Sequence, residues 1–321
     1  MEREIIGMFM AHLRKQGDLP LGDDAGAIRI GREWLVATND MLVRKTDVPD
    51  IMTPEQVGFK AVTMNVSDVA AMGAKPIGFL FSLGVPSDVD RDYLEGIARG
   101  IGRALEFYDV PVLSADTNEA DDLIIDGIAL GRTERLLTRS GAKPGDLVCI
   151  TGDVGRALAG LLVWMNGVET SARVRRALYE KLLEPRARVD EGVEISSIAT
   201  AAIDVSDGLS KELHIIAETS GVGMEIRGED IPIVDEVREA ARALGISPLE
   251  IALASGEEFE LVFTLPEEKL HECRADCHVI GRVTEGRGVY ITSQGKRLKM
   301  PLLGWEHFSA VRSGRYRQLF R

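Results

Sequence analysis

Cysteine is scarce in this chain: Cys149, Cys273 and Cys277 are the three in 321 residues. Three thiols, two of them close together, make no disulfide framework, and the usage suits a reducing compartment. Long apolar runs are missing too, since no stretch approaches the ~18 uncharged residues that a membrane-spanning helix needs. Nor is there a basic excess: 38 Lys and Arg stand against 51 Asp and Glu, a formal net charge of −13. That balance argues against a sequence-independent nucleic-acid surface, where Lys and Arg must neutralise phosphates. The opening residues MEREIIGMFMAHLRKQG are broken by Glu2, Arg3, Glu4, Arg14 and Lys15. They read as an amphipathic helix rather than a secretory signal, and the chain is expected in the cytoplasm. A GxxxxGKS/T phosphate loop and a GxGxxG after a strand are both absent, so a bound nucleotide is expected outside the common nucleotide folds.

What is present is an ordinary globular composition, 45% hydrophobic and 28% charged. At roughly 100–200 residues per domain the length predicts two domains. Residues 26–38 pattern as two strands turning at Gly31, and Thr53-Pro54 opens a helix over 54–73. The first half continues with an apolar run at 77–85 and a helix from Ser87-Asp88, on which Leu94, Ile97, Ile101, Leu105 and Tyr108 recur at helical spacing. Strands at 110–113 and 123–130 complete it. The turn-rich TRSGAKPGD (Thr138 to Asp146) precedes a fresh strand and helix, LVCITG and DVGRALAGLLVWM, which sets the expected domains at 1–137 and 138–321. Helices near 171–183, 186–199 and after Ser206, with strands at 201–205, 222–227, 259–264, 278–283 and 288–292, make the second half α+β like the first.

Five segments share one style of acid: LGDDAGAI (Asp23, Asp24), VATNDML (Thr38, Asn39, Asp40), MNVSDVAAMGA (Asn65, Ser67, Asp68), VLSADTN (Ser114, Asp116, Thr117) and AIDVSDGLS (Asp204, Ser206, Asp207). Each acid sits among small or hydroxyl residues beside apolar ones. Taken singly, any of them reads more readily as a turn or helix cap. Their recurrence in both halves points to carboxylates sharing a partly desolvated cleft, where they would repel one another unless cations lay between them. Mg²⁺ suits that task, since it takes oxygen ligands and is usually completed by substrate phosphates. His271, Cys273, Cys277 and His278 are zinc-type residues, but their spacing matches no common finger.

The ordered blocks GDDAGAI, TND, GFKAVTMNVSDVAAMGAKP, ADT, LTRSGAKPGDLVCITG, AIDVSDGL, SGEEFEL and GWEHF span about residues 20 to 308. Together they resemble the thiamine-monophosphate kinases, within the superfamily that includes aminoimidazole ribonucleotide synthetase. The resemblance implies a two-domain α+β fold. Its N-terminal domain would pair with a twin in a homodimer, and a C-terminal α/β sandwich domain would complete the active-site cleft. It also implies ATP- and Mg²⁺-dependent, direct inline phosphorylation of thiamine monophosphate to thiamine diphosphate, with no protein nucleophile. By motif, Asp24, Asp40, Asp68, Asp116, Asp204 and Asp207 would hold metal, with Thr38 and Asn39 assisting. Tyr108, Ala115, Asp116, Arg139 and Ser206 would contact ATP. Asp47, Glu257 and Trp305 would face thiamine monophosphate.

The chain departs from the family pattern at several points. Ser114-Ala115 replaces Gly-Gly, Asn39 a threonine and Glu258 an aspartate, and Asp47 stands where bacterial relatives often have histidine. Other members of the superfamily fit less well. A hydrogenase-maturation dehydratase works through a C-terminal cysteine, where this chain reads YRQLFR, and a selenophosphate synthetase needs an early reactive cysteine, where the first here is Cys149. A noncatalytic nucleotide-binding relative is the competing reading from another class.

Overall fold

The computed structural model describes residues 2–13, 17–19 and 21–306. His307, the end of the GWEHF block and the YRQLFR terminus lie outside the described residues, as do Arg14 and Lys15. The first half contains α1 (Glu2–Met10), β1 (Gly26–Ile30), β2 (Glu33–Val43), α2 (Arg44–Asp47), α3 (Pro54–Ala71), β3 (Lys75–Val85), α4 (Arg91–Phe107), β4 (Val112–Glu119) and β5 (Ile124–Thr133). Its strands form one sheet in the order β1-β2-β5-β3-β4, antiparallel except for β3 beside β4. The second half contains β6 (Leu147–Thr151), α5 (Arg156–Met165), α6 (Ala172–Leu183), α7 (Val189–Ile195), β7 (Ala201–Asp204), α8 (Leu209–Ser220) and β8 (Gly223–Arg227). It ends with α9 (Asp235–Leu244), α10 (Pro248–Ala254), β9 (Leu261–Leu265), β10 (Cys277–Thr284), β11 (Gly288–Ser293) and β12 (Lys296–Lys299). The second sheet runs β12-β11-β8-β10-β6-β9-β7, with β8 and β11 parallel.

Two elements position the site. Helix α3 starts where Thr53 and Gln56 cap each other reciprocally, Thr53 Oγ1 accepting from Gln56 N at 3.3 Å and Gln56 Oε1 from Thr53 N at 2.9 Å. It then buries residues on every face, because the first sheet and α4 flank it while α7 and β7 meet it from the second half. Asp68, near its end, is therefore largely shielded from bulk water. Strand β2 turns out of β1 at Gly31 (φ +65°) and alternates, with Val36, Thr38 and Leu42 turned inward toward α3.

Close approach of α3 and α4 depends on glycine. A Cβ on Gly100 would lie 1.9 Å from the Glu55 carbonyl oxygen, and one on Gly58 2.2 Å from that of Ile97. Gly100→Ala is expected to cost about 3 kcal/mol, the upper range of overpacking, read as a lowered denaturation midpoint with an unchanged m-value.

Several boundaries differ from the sequence expectation. Helix α4 begins at Arg91 rather than near Ser87, because Asp90 provides the cap, accepting from Tyr93 N at 2.8 Å. Strand β4 continues to Glu119, held by its parallel ladder with β3, a long-range pairing that no local pattern announces. Helices α9 and α10 and strand β12 are additions. The last is a four-residue exposed edge, KRLK, with little apolar alternation to betray it.

Candidate active site

Asp24, Asp68 and Asp204 converge from three places: the turn before β1, the last turn of α3, and the end of β7. Oxygens of the three carboxylates lie within 4.8 Å of one another, and all three residues are buried. Neighbouring groups fix each one. Thr38 Oγ1 donates to Asp68 Oδ2 at 2.6 Å, and Ser67 Oγ, one residue earlier on α3, donates to Asp204 Oδ2 at 2.5 Å. Arg139 donates from Nε and Nη2 to Asp24 Oδ1 at 3.0 and 2.6 Å, while Asp23 accepts from Arg139 N. Asn65 ties β2 to α3, accepting from Asp40 N at 2.9 Å and donating to Asp40 O at 3.3 Å. This explains Gly127 on the adjoining strand, where a Cβ would sit 2.3 Å from Asn65 Nδ2.

The cluster is electrostatically incomplete. Asp24 Oδ2 and Asp204 Oδ1 are buried without a hydrogen-bond partner. Burial first, eased by Arg139 and aggravated by Asp23 and Asp40, pushes the Asp24 carboxyl up to about 6. Burial and the nearness of Asp24 push Asp204 up to about 8. Asp68 is driven well above the usual carboxylate range by burial, then by Asp40, Asp204 and Asp24. The charge of Arg139 survives its burial because Asp24 faces it. Orphaned acceptor oxygens in an oxygen-only donor set fit a hard divalent cation such as Mg²⁺.

Asp24 and Asp68 open onto a cavity of about 860 Å³ lined from both halves of the chain, with Asp204 buried behind them. Asp40, Ser206 and Asp207 stand on its wall, and Asp207 is ion-paired with Lys211. Asn39 borders the cavity, although strand alternation exposes its side chain on the outer face of β2. Asp47, Glu257 and Trp305 also line it. Asp47 accepts from Val43 N at 2.7 Å, and Trp305 N donates to Asp207 O at 2.8 Å.

Three expected nucleotide contacts are not brought here within one chain. Ala115 and Asp116 project from the exposed edge strand β4. Tyr108 is buried in the first core, its hydroxyl 3.0 Å from Thr63 Oγ1 and accepting from Ala187 N at 2.9 Å.

Sequence reasoning missed Lys60 and Trp164. Lys60, 1% exposed, donates to the Asp47 carbonyl at 2.8 Å and pairs with Glu257, joining two residues of the cavity wall across the two halves. A lysine inside an otherwise apolar helical face, GFKAV, is the signal that points to it. Trp164, on α5, adds an aromatic wall with Leu158, Leu161 and Met165. Glu257 and Phe259 both take positive φ, +55° and +49°. Strain of this kind persists only where surrounding contacts enforce it, and Glu258 supplies some of them: its Oε1 accepts from Ser255 Oγ, Gly155 N and Ala157 N at 2.6, 2.8 and 3.1 Å. The longer acid that replaces aspartate here thus caps the start of α5 rather than entering the cavity.

Comparison with known proteins agrees with this geometry. The family models for AIR synthase related protein match residues 22–133 (N-terminal domain) and 143–294 (C-terminal domain). The thiamine-monophosphate kinase of Pyrococcus abyssi is 55% identical over 96% of each chain. A solved structure described as AaThiL complexed with AMPPCP and TMP superposes with a TM-score of 0.87, at 35% identity over 95% of this chain and 96% of that one. The Aquifex aeolicus thiamine monophosphate kinase structure gives 0.82 at 34% identity, over 92% and 97%. Near-complete coverage at such identity, on a fold that gathers Asp24, Asp68 and Asp204 in one cluster, places this chain in the thiamine-monophosphate kinase family.

Proposed function

We propose that this chain is an ATP-dependent kinase that phosphorylates thiamine monophosphate to thiamine diphosphate. The observation that carries the reading is the trio of buried carboxylates, two of them with an unpartnered oxygen, at the edge of one large cavity with an aromatic and acidic far wall. Asp24, Asp40, Asp68 and Asp204 would hold Mg²⁺, with Asp207 released from Lys211 to join them and Thr38 orienting Asp68. Bound there, the ions supply neutralisation of the phosphate oxygens. The protein's own work is positioning. Arg139 offers a guanidinium at the nucleotide end of the cavity, and Ser206 lines the same wall. Asp47 and Glu257, held by Lys60, face the cationic substrate, and Trp305 and Trp164 give its rings flat apolar surfaces. Among the described residues no histidine or cysteine lines the cavity, and none is required, because the acceptor phosphate monoester is already largely ionised near neutral pH.

In this reading residues 1–137 provide the metal and pairing half and 138–321 complete the cleft, in a homodimer in the cytoplasm. Pairing is supported by the outer face of the first sheet, where Ile28, Ile30 and Met41 stand exposed toward the β1 edge and Val112 and Leu113 of β4 at the opposite edge. A twin on that face would cover the strand that carries Ala115 and Asp116, bringing them to an interface that one chain leaves open. Among the described residues no helix is long and apolar enough to cross a membrane.

The test is incubation with ATP, Mg²⁺ and thiamine monophosphate, followed by chromatography for thiamine diphosphate, with Asp204→Asn as control. Enzyme-dependent product that disappears in the variant is expected. ATP binding without product would sink the kinase reading in favour of a noncatalytic relative.

A further inference from the structure

All three thiols of this chain gather in one place, away from the cavity. Cys273 follows a short 3₁₀ turn (Glu267–Glu272), and Cys277 opens β10. Their Sγ atoms lie 3.6 Å apart, and both residues are half-buried, open enough for a small oxidant. The fully buried Cys149 sits on the neighbouring strand β6, where its ladder partner is Val279. The thiols of Cys149 and Cys273 hold Cys277 down at about 7 while burial opposes it. A zinc centre does not account for the cluster: among the described residues only the aspartate trio gathers three metal-type ligand atoms closely enough.

We propose that Cys273 and Cys277 form a redox-active dithiol that reduces hydrogen peroxide and closes to an intramolecular disulfide, with Cys277 as the attacking sulfur. In the first step the Cys277 thiolate attacks a peroxide oxygen; an S–O bond forms, the O–O bond breaks, and the leaving oxygen departs as water after taking a proton. Cys273 then attacks the sulfenic sulfur; the S–S bond forms, the S–O bond breaks, and a second water leaves. Two thiols lose two electrons and one peroxide becomes two waters. Cys149, locked in the strand behind, assists through its S–H and stays reduced. The loop that closes, 273–277, is held to α7 by Arg274 N and Ala275 N, which both donate to Glu194 Oε1. The two sulfurs therefore already face each other across an ordered turn.

Arg274 lies between the two cysteines, which makes the bond easy to read. After treatment of the full chain with hydrogen peroxide, alkylation and trypsin without reductant, peptide 270–274 is expected to remain joined to 275–282. Thiols titrated in denaturant fall from three to one, and dithiothreitol restores all three. In Cys273→Ser the linked pair disappears and Cys277 proceeds to the sulfinic or sulfonic acid. The proposal is overturned by retention of all three thiols, by a bond from Cys149 or between chains, or by overoxidation of Cys277 in the wild type with Cys273 untouched.

Discussion

Asp68→Asn is expected to abolish phosphoryl transfer and, in the same variant, to raise the melting temperature of the metal-free protein. The first effect follows from the loss of one of the anionic metal ligands. Cation neutralisation of the transferred group contributes several kcal/mol, and at 1.36 kcal/mol per decade its loss slows turnover about a thousandfold. The second effect has the opposite sign because, without metal, the carboxylate is a liability: Asp68 is buried beside Asp40, Asp204 and Asp24. Asparagine keeps an oxygen for the Thr38 hydroxyl and turns an amide toward the orphaned oxygens of Asp24 and Asp204. The gain is a few degrees in a thermal scan with chelator present. Acids with raised folded-state pKa give their full stability below the unfolded value and lose it as pH climbs through the folded one. For Asp68 that loss begins near the unfolded value of about 4 and runs up to its strongly raised folded one. The variant's advantage should therefore widen across this window and vanish for wild type saturated with Mg²⁺. A variant that melts lower than wild type at pH 8 without metal, or that retains turnover, refutes the assignment of Asp68.

The meeting of Asp24, Asp68 and Asp204 is legible in the sequence because each acid stands among small and apolar residues where a solvated acid would have long polar neighbours. Helix α3 is legible at its start, where Thr53-Pro54 caps it, but its burial on all sides is a tertiary fact. That burial turns Lys60, a lone charge in the apolar run GFKAV, into a bridge between Asp47 and Glu257. Motif transfer carries residue types without their neighbourhood, and Tyr108 shows the consequence: at the end of α4 its hydroxyl is taken by Thr63 and Ala187, the latter 79 residues along the chain. Asp116 differs again. Its strand was expected to end at 113, yet pairing with β3 extends it along an open edge, so the residue stands apart from the other acids in a single chain. The cysteine cluster is invisible to spacing rules because Cys149 joins it through the β6–β10 ladder, more than a hundred residues away.

Glu260→Ala is expected to be the most destabilising single change in the second half. Glu260 is fully buried at the start of β9. Arg188 grips it with two parallel bonds, Nε to Oε2 and Nη2 to Oε1, both 2.7 Å. Thr151 Oγ1 donates to it at 2.7 Å, and Lys181 Nζ, only 7% exposed, pairs with Oε1. Burial alone would raise this acid's pKa, but Lys181 and Arg188 hold it below the usual range. Removing the carboxylate strands the buried Lys181 with only Glu258 Oε2, 4.0 Å away. Breaking such a pair from one side costs about 3–5 kcal/mol, a fall in melting temperature on the order of 10 °C. A Glu260→Ala, Lys181→Met double variant should recover part of that loss, since the uncompensated charge is then gone, and the recovered amount measures the coupling. Function follows through position: Glu260 anchors the end of the strained turn that presents Glu257 to the cavity. In the surviving folded fraction, KM for thiamine monophosphate should rise more than kcat falls, because Glu257 serves binding and the metal acids are untouched. Equal melting of Glu260→Ala and wild type would show that the turn is held by Glu258 and its cap alone.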